Sequence, residues 1–202
     1  MRVTKTPEVR KKEIIEQATK LFETRGIGKT SISDIADAVG VAKGLVYYYF
    51  TSKEQLVTLV IEQFIAGIDD ALNGIIKNPS LDFYAKLASI LDLYYHAIPS
   101  HPAIFNLTPG DPAVFNLIRD KLSEIALAHA GTLLQIGLKD QLIRIEFPEY
   151  MLKILIKGLG DLYIEGVQDP KIHVVLVEQV LGLEPGLLLP SMPLLKAAAE
   201  PA

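Results

Sequence analysis

Three consecutive tyrosines, Tyr47, Tyr48 and Tyr49, follow Lys43 and Gly44 and precede Thr51, Ser52 and Lys53. A buried phenol needs a hydrogen-bond partner, and a small domain rarely supplies three in a row. Phosphate oxygens would supply them, with base edges read by the first side chains of the same short helix and the phosphodiester backbone met by Thr51, Ser52 and Lys53. The competing account is an aromatic stripe packed onto helices to either side. Composition alone does not choose between them.

No other stretch offers comparable chemistry. The four histidines, at 96, 101, 129 and 173, are scattered, and a lone histidine on an apolar face more often belongs to a core than to a metal site. Serine, histidine and carboxylate are present without a nucleophile-elbow context, and there is no Gly-rich phosphate loop. Neither an enzyme nor a cofactor is expected. With no cysteine, disulfides and thiolate metal sites are excluded.

The residues around the tyrosines specify the elements that carry them. Ser31 followed by Asp34 is a capping-box start, and Ile32, Ile35, Ala36 and Val39 recur as one apolar face. Gly40 stands where a left-handed residue would end that helix. A second short helix, Ala42 to Phe50, then has Val46 and Phe50 as inward anchors, leaving Lys43 and Tyr47 outside. Upstream, Thr6-Pro7 reads as N-cap and first helical residue of a helix with Ile14, Ile15, Ala18, Leu21 and Phe22 inward, closed by Gly26.

This succession resembles the TetR family of one-component transcriptional regulators over residues 8 to 57. The matching residues are Leu21-Phe22 with Gly26, Thr30-Ser31-Ile32, Asp34-Ile35-Ala36, Ala38-Val39-Gly40-Val41, Lys43-Gly44, Val46-Tyr47, Tyr49-Phe50, Ser52-Lys53-Glu54 and Leu56. The resemblance implies an all-α fold: a three-helix helix-turn-helix DNA-binding head over residues 1–52 and a helical body over 53–202 that binds an effector and forms a homodimer. It implies a ligand-responsive repressor that binds double-stranded operator DNA. It carries over Lys43, Gly44, Leu45, Tyr47 and Tyr49 as groove or phosphate contacts, with Ser31 and Ser33 on the preceding helix and Lys53 beyond. Two departures bear on which bases are read: Leu45 stands where many relatives carry a small hydroxyl residue, and Tyr49 where many carry His. The alternative function is a helical protein-interaction module that does not bind DNA.

Charge supports a polarised molecule. Of the net charge of −4, residues 1–53 carry ten Lys or Arg against six Asp or Glu, while the remainder carries ten against eighteen. A basic head on an acidic body directs nucleic acid to one end. No stretch approaches the ~20 uncharged apolar residues of a membrane span, and no signal-like start follows Met1, so the cytoplasm is the expected compartment.

Ser52-Lys53-Glu54-Gln55 repeats the capping pattern and opens a long helix to Asn78-Pro79, long enough at 1.5 Å per residue to belong to both head and body. A helix is expected over 81–97. Pro99, Pro102, Pro109 and Pro112 should then forbid a long one. Another long helix is expected over 113–137. Pro148 and Asp169-Pro170 should open two final helices, near 149–166 and 170–182, apolar on nearly every side and suited to a two-fold four-helix interface. Gly158 and Gly160 suggest a close helix crossing. The tail from Leu183 follows no evident rule. An effector pocket is expected among the middle helices, walled by Phe64, Ile68, Tyr84, Leu91, Tyr94, Tyr95, Phe105, Phe115, Ile118, Leu122 and Tyr163, with Asn106 and His129 as polar handles. So much apolar wall and no cluster of charges point to a mainly hydrophobic small molecule.

Overall fold

A computed structural model describes residues 5–100 and 112–191. Among them are eight α-helices and no strand: α1 (Pro7–Arg25), α2 (Ile32–Val39), α3 (Lys43–Tyr49), α4 (Lys53–Lys77), α5 (Phe83–Ser100), α6 (Pro112–Lys139), α7 (Pro148–Ile164) and α8 (Pro170–Leu181), followed by a 3₁₀ turn at Leu189–Ser191. The described residues divide into two compact units, one of 5–67 with 98–100 and 112–119, the other of 68–97 with 120–191. α4 supplies residues to both.

In the first unit the expected punctuation is present atom by atom. Thr6 caps α1 by accepting from the Val9 amide, Pro7 follows, and Gly26 closes the helix at φ 86°. Ile14, Ile15, Ala18 and Phe22 are buried as the apolar period required, together with Ile35, Val46, Phe50 and Leu56. Thr30 is buried and donates to the carbonyls of Gly26 at 2.9 Å and Leu21 at 3.3 Å. It thereby ties the end of α1 to the start of α2, a role its place in the family pattern did not disclose.

In the second unit the helix expected at 81–97 runs instead from Phe83 to Ser100. The Asp82 carboxylate accepts from the Ala85 amide at 2.8 Å, so Asp82 is the cap and the helix begins after it. At the other end Pro99 lies within the last turn rather than beyond it. Proline lacks its own amide and crowds the carbonyl four residues back, but this restriction is cheapest at a helix end.

Within this chain a close approach requires a different glycine from Gly158 and Gly160. A Cβ added at Gly158 or Gly160 would meet nothing within 4 Å in this chain, whereas one at Gly137 would lie 2.6 Å from the Phe83 ring and 3.1 Å from Ile143. Gly137 is the residue that lets α6 approach the start of α5. Gly137→Ala should therefore lower stability by about 1–3 kcal/mol through overpacking, despite alanine's better helix propensity. Gly74→Ala, with open space around it, should raise stability by up to about 1 kcal/mol. Urea denaturation of both variants checks the contrast.

The tail is anchored as far as it is described. Glu178 on α8 is buried, and its carboxylate accepts from the amides of Gly186 at 2.9 Å and Leu188 at 2.8 Å. Leu183 and Leu188 are buried against the same core.

Candidate nucleic-acid and effector sites

The tyrosine segment is held by its two neighbours. Ser31 caps α2 reciprocally: its hydroxyl accepts from the Asp34 amide at 3.2 Å while the Asp34 carboxylate accepts from the Ser31 amide at 2.7 Å and hydroxyl at 2.6 Å. These bonds from the Ser31 side chain and backbone hold the Asp34 carboxyl below its usual range. Gly40 ends α2 in the left-handed region at φ 72°, and α3 starts three residues later with Ala42 as its uncapped N-cap. Val46 and Phe50 fix the roll of α3 by burying one side of it.

The opposite side is open. Tyr47 is 46% and Tyr48 79% exposed, Lys43 and Gly44 are exposed, and Leu45 and Tyr49 are half-buried. The Lys43 ammonium sits 5.8 Å from the Tyr47 ring centroid, and Tyr48 meets Tyr49 edge to face at 5.1 Å. The packed-stripe account is therefore wrong for Tyr47 and Tyr48 within the first unit: their phenols face solvent. On the buried side, Lys11 of α1 lies 5.9 Å over Phe50.

Lys53 is the first residue of α4, as the capping pattern at Ser52 required. The expected capping box is shifted by one residue. Ser52 accepts from the Gln55 amide at 3.2 Å, but the Gln55 side chain returns to Thr51, accepting from its amide at 2.7 Å and its hydroxyl at 3.1 Å. Ser31 is exposed with its hydroxyl engaged by Asp34, and Ser33 is half-buried. Lysine ammonium, tyrosine hydroxyls and an unhindered glycine backbone are thus exposed together on α3, a donor set suited to phosphate and groove edges.

The bacterial regulatory protein profile of the tetR family matches residues 14–60, the stretch containing this capped turn and its open helix. Over these residues the chain is similar to the TetR family. Similar relatives include the transcriptional repressor KstR2 of Rhodococcus jostii, 34% identical over 96 residues, 47% of each chain. The regulator YvaF of Bacillus subtilis is 36% identical over 80 residues, 40% of this chain and 42% of its own. These matches span less than half of either relative's length. Likeness of fold extends further: RolR solved without ligand superposes with a TM-score of 0.65 at 18% identity, covering 94% of this chain and 97% of its own. NemR of E. coli in its reduced form gives 0.66 at 16% identity, covering 86% and 98%. At such identities the likeness shows the fold alone.

The residues expected to line an effector pocket are distributed between the units. Phe64 and Ile118 lie in the first; Ile68, Tyr84, Leu91, Tyr94, Tyr95, Leu122, His129 and Tyr163 lie in the second. Phe105, Asn106 and the Phe115 side chain fall outside the described residues. Ile118, Leu91 and Tyr95 are buried, and the others half-buried. His129 is engaged with Asp69, Nε2 to Oδ1 at 2.6 Å, which bridges α6 and α4 within the second unit.

Sequence reasoning missed His173. It is fully buried on α8, 5.7 Å from the Tyr95 ring and 6.4 Å from the Tyr94 ring. Burial pushes its pKa below the ordinary value, against a smaller upward pull from the Val167 backbone and Asp169. The folded chain therefore binds this proton less readily than the unfolded chain. As pH falls through the usual histidine range near about 6.5 the unfolded state gains protons first, so the stability contributed by neutral His173 is present above that range and lost below it. Denaturant midpoints at about pH 7.5 and 5.5 should separate more for the wild type than for His173→Phe.

Among the described residues no helix is long and apolar enough to cross a membrane, and no group of three or more His, Cys, Asp or Glu could hold a metal ion.

Proposed function

We propose that this chain is a dimeric, ligand-responsive transcriptional repressor, each subunit placing α3 in a major groove of operator DNA. One observation carries the reading: Val46 and Phe50 bury one side of α3 while Lys43, Tyr47 and Tyr48 stand free on the other. A helix that were only structural would gain nothing from presenting two tyrosines to water. Lys43, Gly44, Leu45, Tyr47 and Tyr49 meet the groove or its phosphates, with Ser33 and Lys53 at the flanks; Ser31 joins them only through whatever its capping bonds leave free. The basic balance of residues 1–53 agrees with a phosphate-facing head. The functional division runs 1–52 for operator binding and 53–202 for effector and partner, with α4 shared. KstR2 carries the name of a repressor, and RolR has been solved in complex with resorcinol, which supports a small-molecule effector here too. Such a ligand releases the operator only by binding the released state more tightly than the bound one.

The second copy is supported by α7 and α8, which leave Ile154, Ile164, Ile172 and Val175 exposed. Covering these rows against a two-fold partner forms a four-helix interface, and the open space at Gly158 and Gly160 lets its helices approach.

Titration against mixed-sequence and operator DNA at two salt concentrations tests the reading. Binding should weaken steeply with salt, and Lys53→Ala should shallow the log–log slope by about one unit for every sequence alike. Absence of salt-dependent binding would favour a helical protein-interaction module instead.

A further inference from the structure

The second unit buries polar atoms that its own hydrogen bonds do not explain. Among the described residues neither ring nitrogen of His173 nor the hydroxyl of Tyr95 makes a hydrogen bond of normal geometry, although His173 is wholly buried and Tyr95 is 93% buried; the Val167 backbone lies only near enough to pull on the imidazole. Leaving such a group unpaired costs about 1–3 kcal/mol, and a phenylalanine at either position would avoid it. Persistent unpaired groups of this kind therefore call for an explanation outside the fold itself.

Their surroundings say what they could recognise. Tyr94 and Tyr95 of α5 are joined by Tyr163 of α7, which meets Tyr94 at 5.8 Å and 79°, and the His173 ring completes the group from α8. The Tyr94 hydroxyl makes only a long bond, 3.4 Å, to the Leu159 carbonyl. It can be redirected at little cost. Burial raises the pKa values of Tyr94, Tyr95 and Tyr163 and lowers that of His173, so all four rings are neutral near pH 7. A neutral imidazole offers one donor and one acceptor, and a phenol offers both. The electrostatic influence on His173 and Tyr95 from a formally charged residue comes from Asp169, which would repel an anion. Tyr94 and Tyr163 are half-buried, whereas Tyr95 and His173 are buried.

We propose that Tyr94, Tyr95, Tyr163 and His173 form a recognition site for an uncharged, hydroxyl-bearing aromatic compound. Its ring is held edge to face by the tyrosines, and its hydroxyl both donates to and accepts from the His173 imidazole and the Tyr95 phenol. Admission requires Tyr163 to swing outward and Tyr94 to give up its bond to Leu159. The assignment rests on the effector-responsive reading above and specifies the ligand class and its polar handle, which is His173 rather than His129.

Phenol and toluene, equal in shape and differing in the hydroxyl, serve as probes for the full chain. Calorimetric titration and melting curves should show saturable binding of phenol at least about 10-fold tighter than toluene, because a site built around a hydroxyl rejects the analogue lacking it. The His173 ring nitrogen resonances should shift on addition of phenol. His173→Phe and Tyr95→Phe should each melt higher than the wild type and each lose about 10-fold or more in phenol affinity. No saturable phenol binding by the wild type, equal affinity for toluene, or unchanged phenol affinity in both variants would overturn the site and leave these groups as unsatisfied core. Operator binding measured on the same samples separates the two ideas. Phenol binding without operator binding supports the site and rejects the repressor, whereas operator binding without phenol binding rejects the site alone.

Discussion

Placing an aspartate at Val175 or Ile154 should yield a folded monomer that has lost at least about 100-fold in operator affinity, because in the proposed dimer paired half-sites about 34 Å apart are held by two heads at once. Both side chains are exposed, Val175 at 42% and Ile154 at 66%, so neither substitution opens the core of its own subunit. An unpaired carboxylate in an apolar two-fold interface appears twice per dimer, which doubles its cost. Val177, two residues along α8, would be the wrong choice. It is 2% exposed, and an aspartate there would destroy the second unit before any interface was tested. Sedimentation should show the wild type at twice the mass of either variant, with superimposable far-ultraviolet circular dichroism. A wild type that sediments as a monomer at low micromolar concentration, or a monomeric variant that binds operator undiminished, would refute the four-helix interface.

The contrast between Val175 and Val177 marks where the sequence was legible. An apolar period on α8 announces a helix, but with apolar residues all round it does not say which side meets this chain and which is left for another. Local punctuation was far more readable. Thr6-Pro7, Ser31 with Asp34, Gly40 and Asp169-Pro170 each act within one turn, so their geometry is set by residues already adjacent in the chain. Lys43 and Tyr47 facing outward followed from the four-residue spacing of Val46 and Phe50.

What escaped the sequence depends on residues brought together from afar. Gly137 is needed because Phe83, on another helix, occupies the space a side chain would fill. Glu178 looks like a surface charge until the chain turns back and presents the amides of Gly186 and Leu188. His173 drew no notice among four scattered histidines, since only the packing of α5 against α8 reveals that its nitrogens are buried and unpaired. Proline signalling erred in a different way. The helix expected to end at residue 97 instead continues through Pro99 to Ser100, because a single missing amide matters little in a final turn.

Opposite sides of α3 should respond to truncation in opposite currencies. Phe50 is 1% exposed and closes the core of the first unit, so Phe50→Ala should cost about 3–5 kcal/mol and abolish operator binding by unfolding the head. Tyr47 is 46% exposed with the Lys43 ammonium beside its ring, so Tyr47→Ala should change stability by no more than about 0.5 kcal/mol. Its effect should instead appear at the DNA, as a loss of about 1–3 kcal/mol in operator affinity, which is roughly 10- to 100-fold. Lys43→Ala should weaken binding too, with altered discrimination between operators, since in the proposed docking the residues near the start of α3 lie nearest base edges. Chemical denaturation and operator titration on the same preparations distinguish the two sides. If Tyr47→Ala destabilised the chain as Phe50→Ala does, Tyr47 would belong to the core of the head rather than to a phosphate-facing surface. If it left both stability and operator affinity intact, α3 would not be the element that reads DNA. Only selective loss of affinity fits a helix whose buried row sets its position and whose exposed row meets the groove.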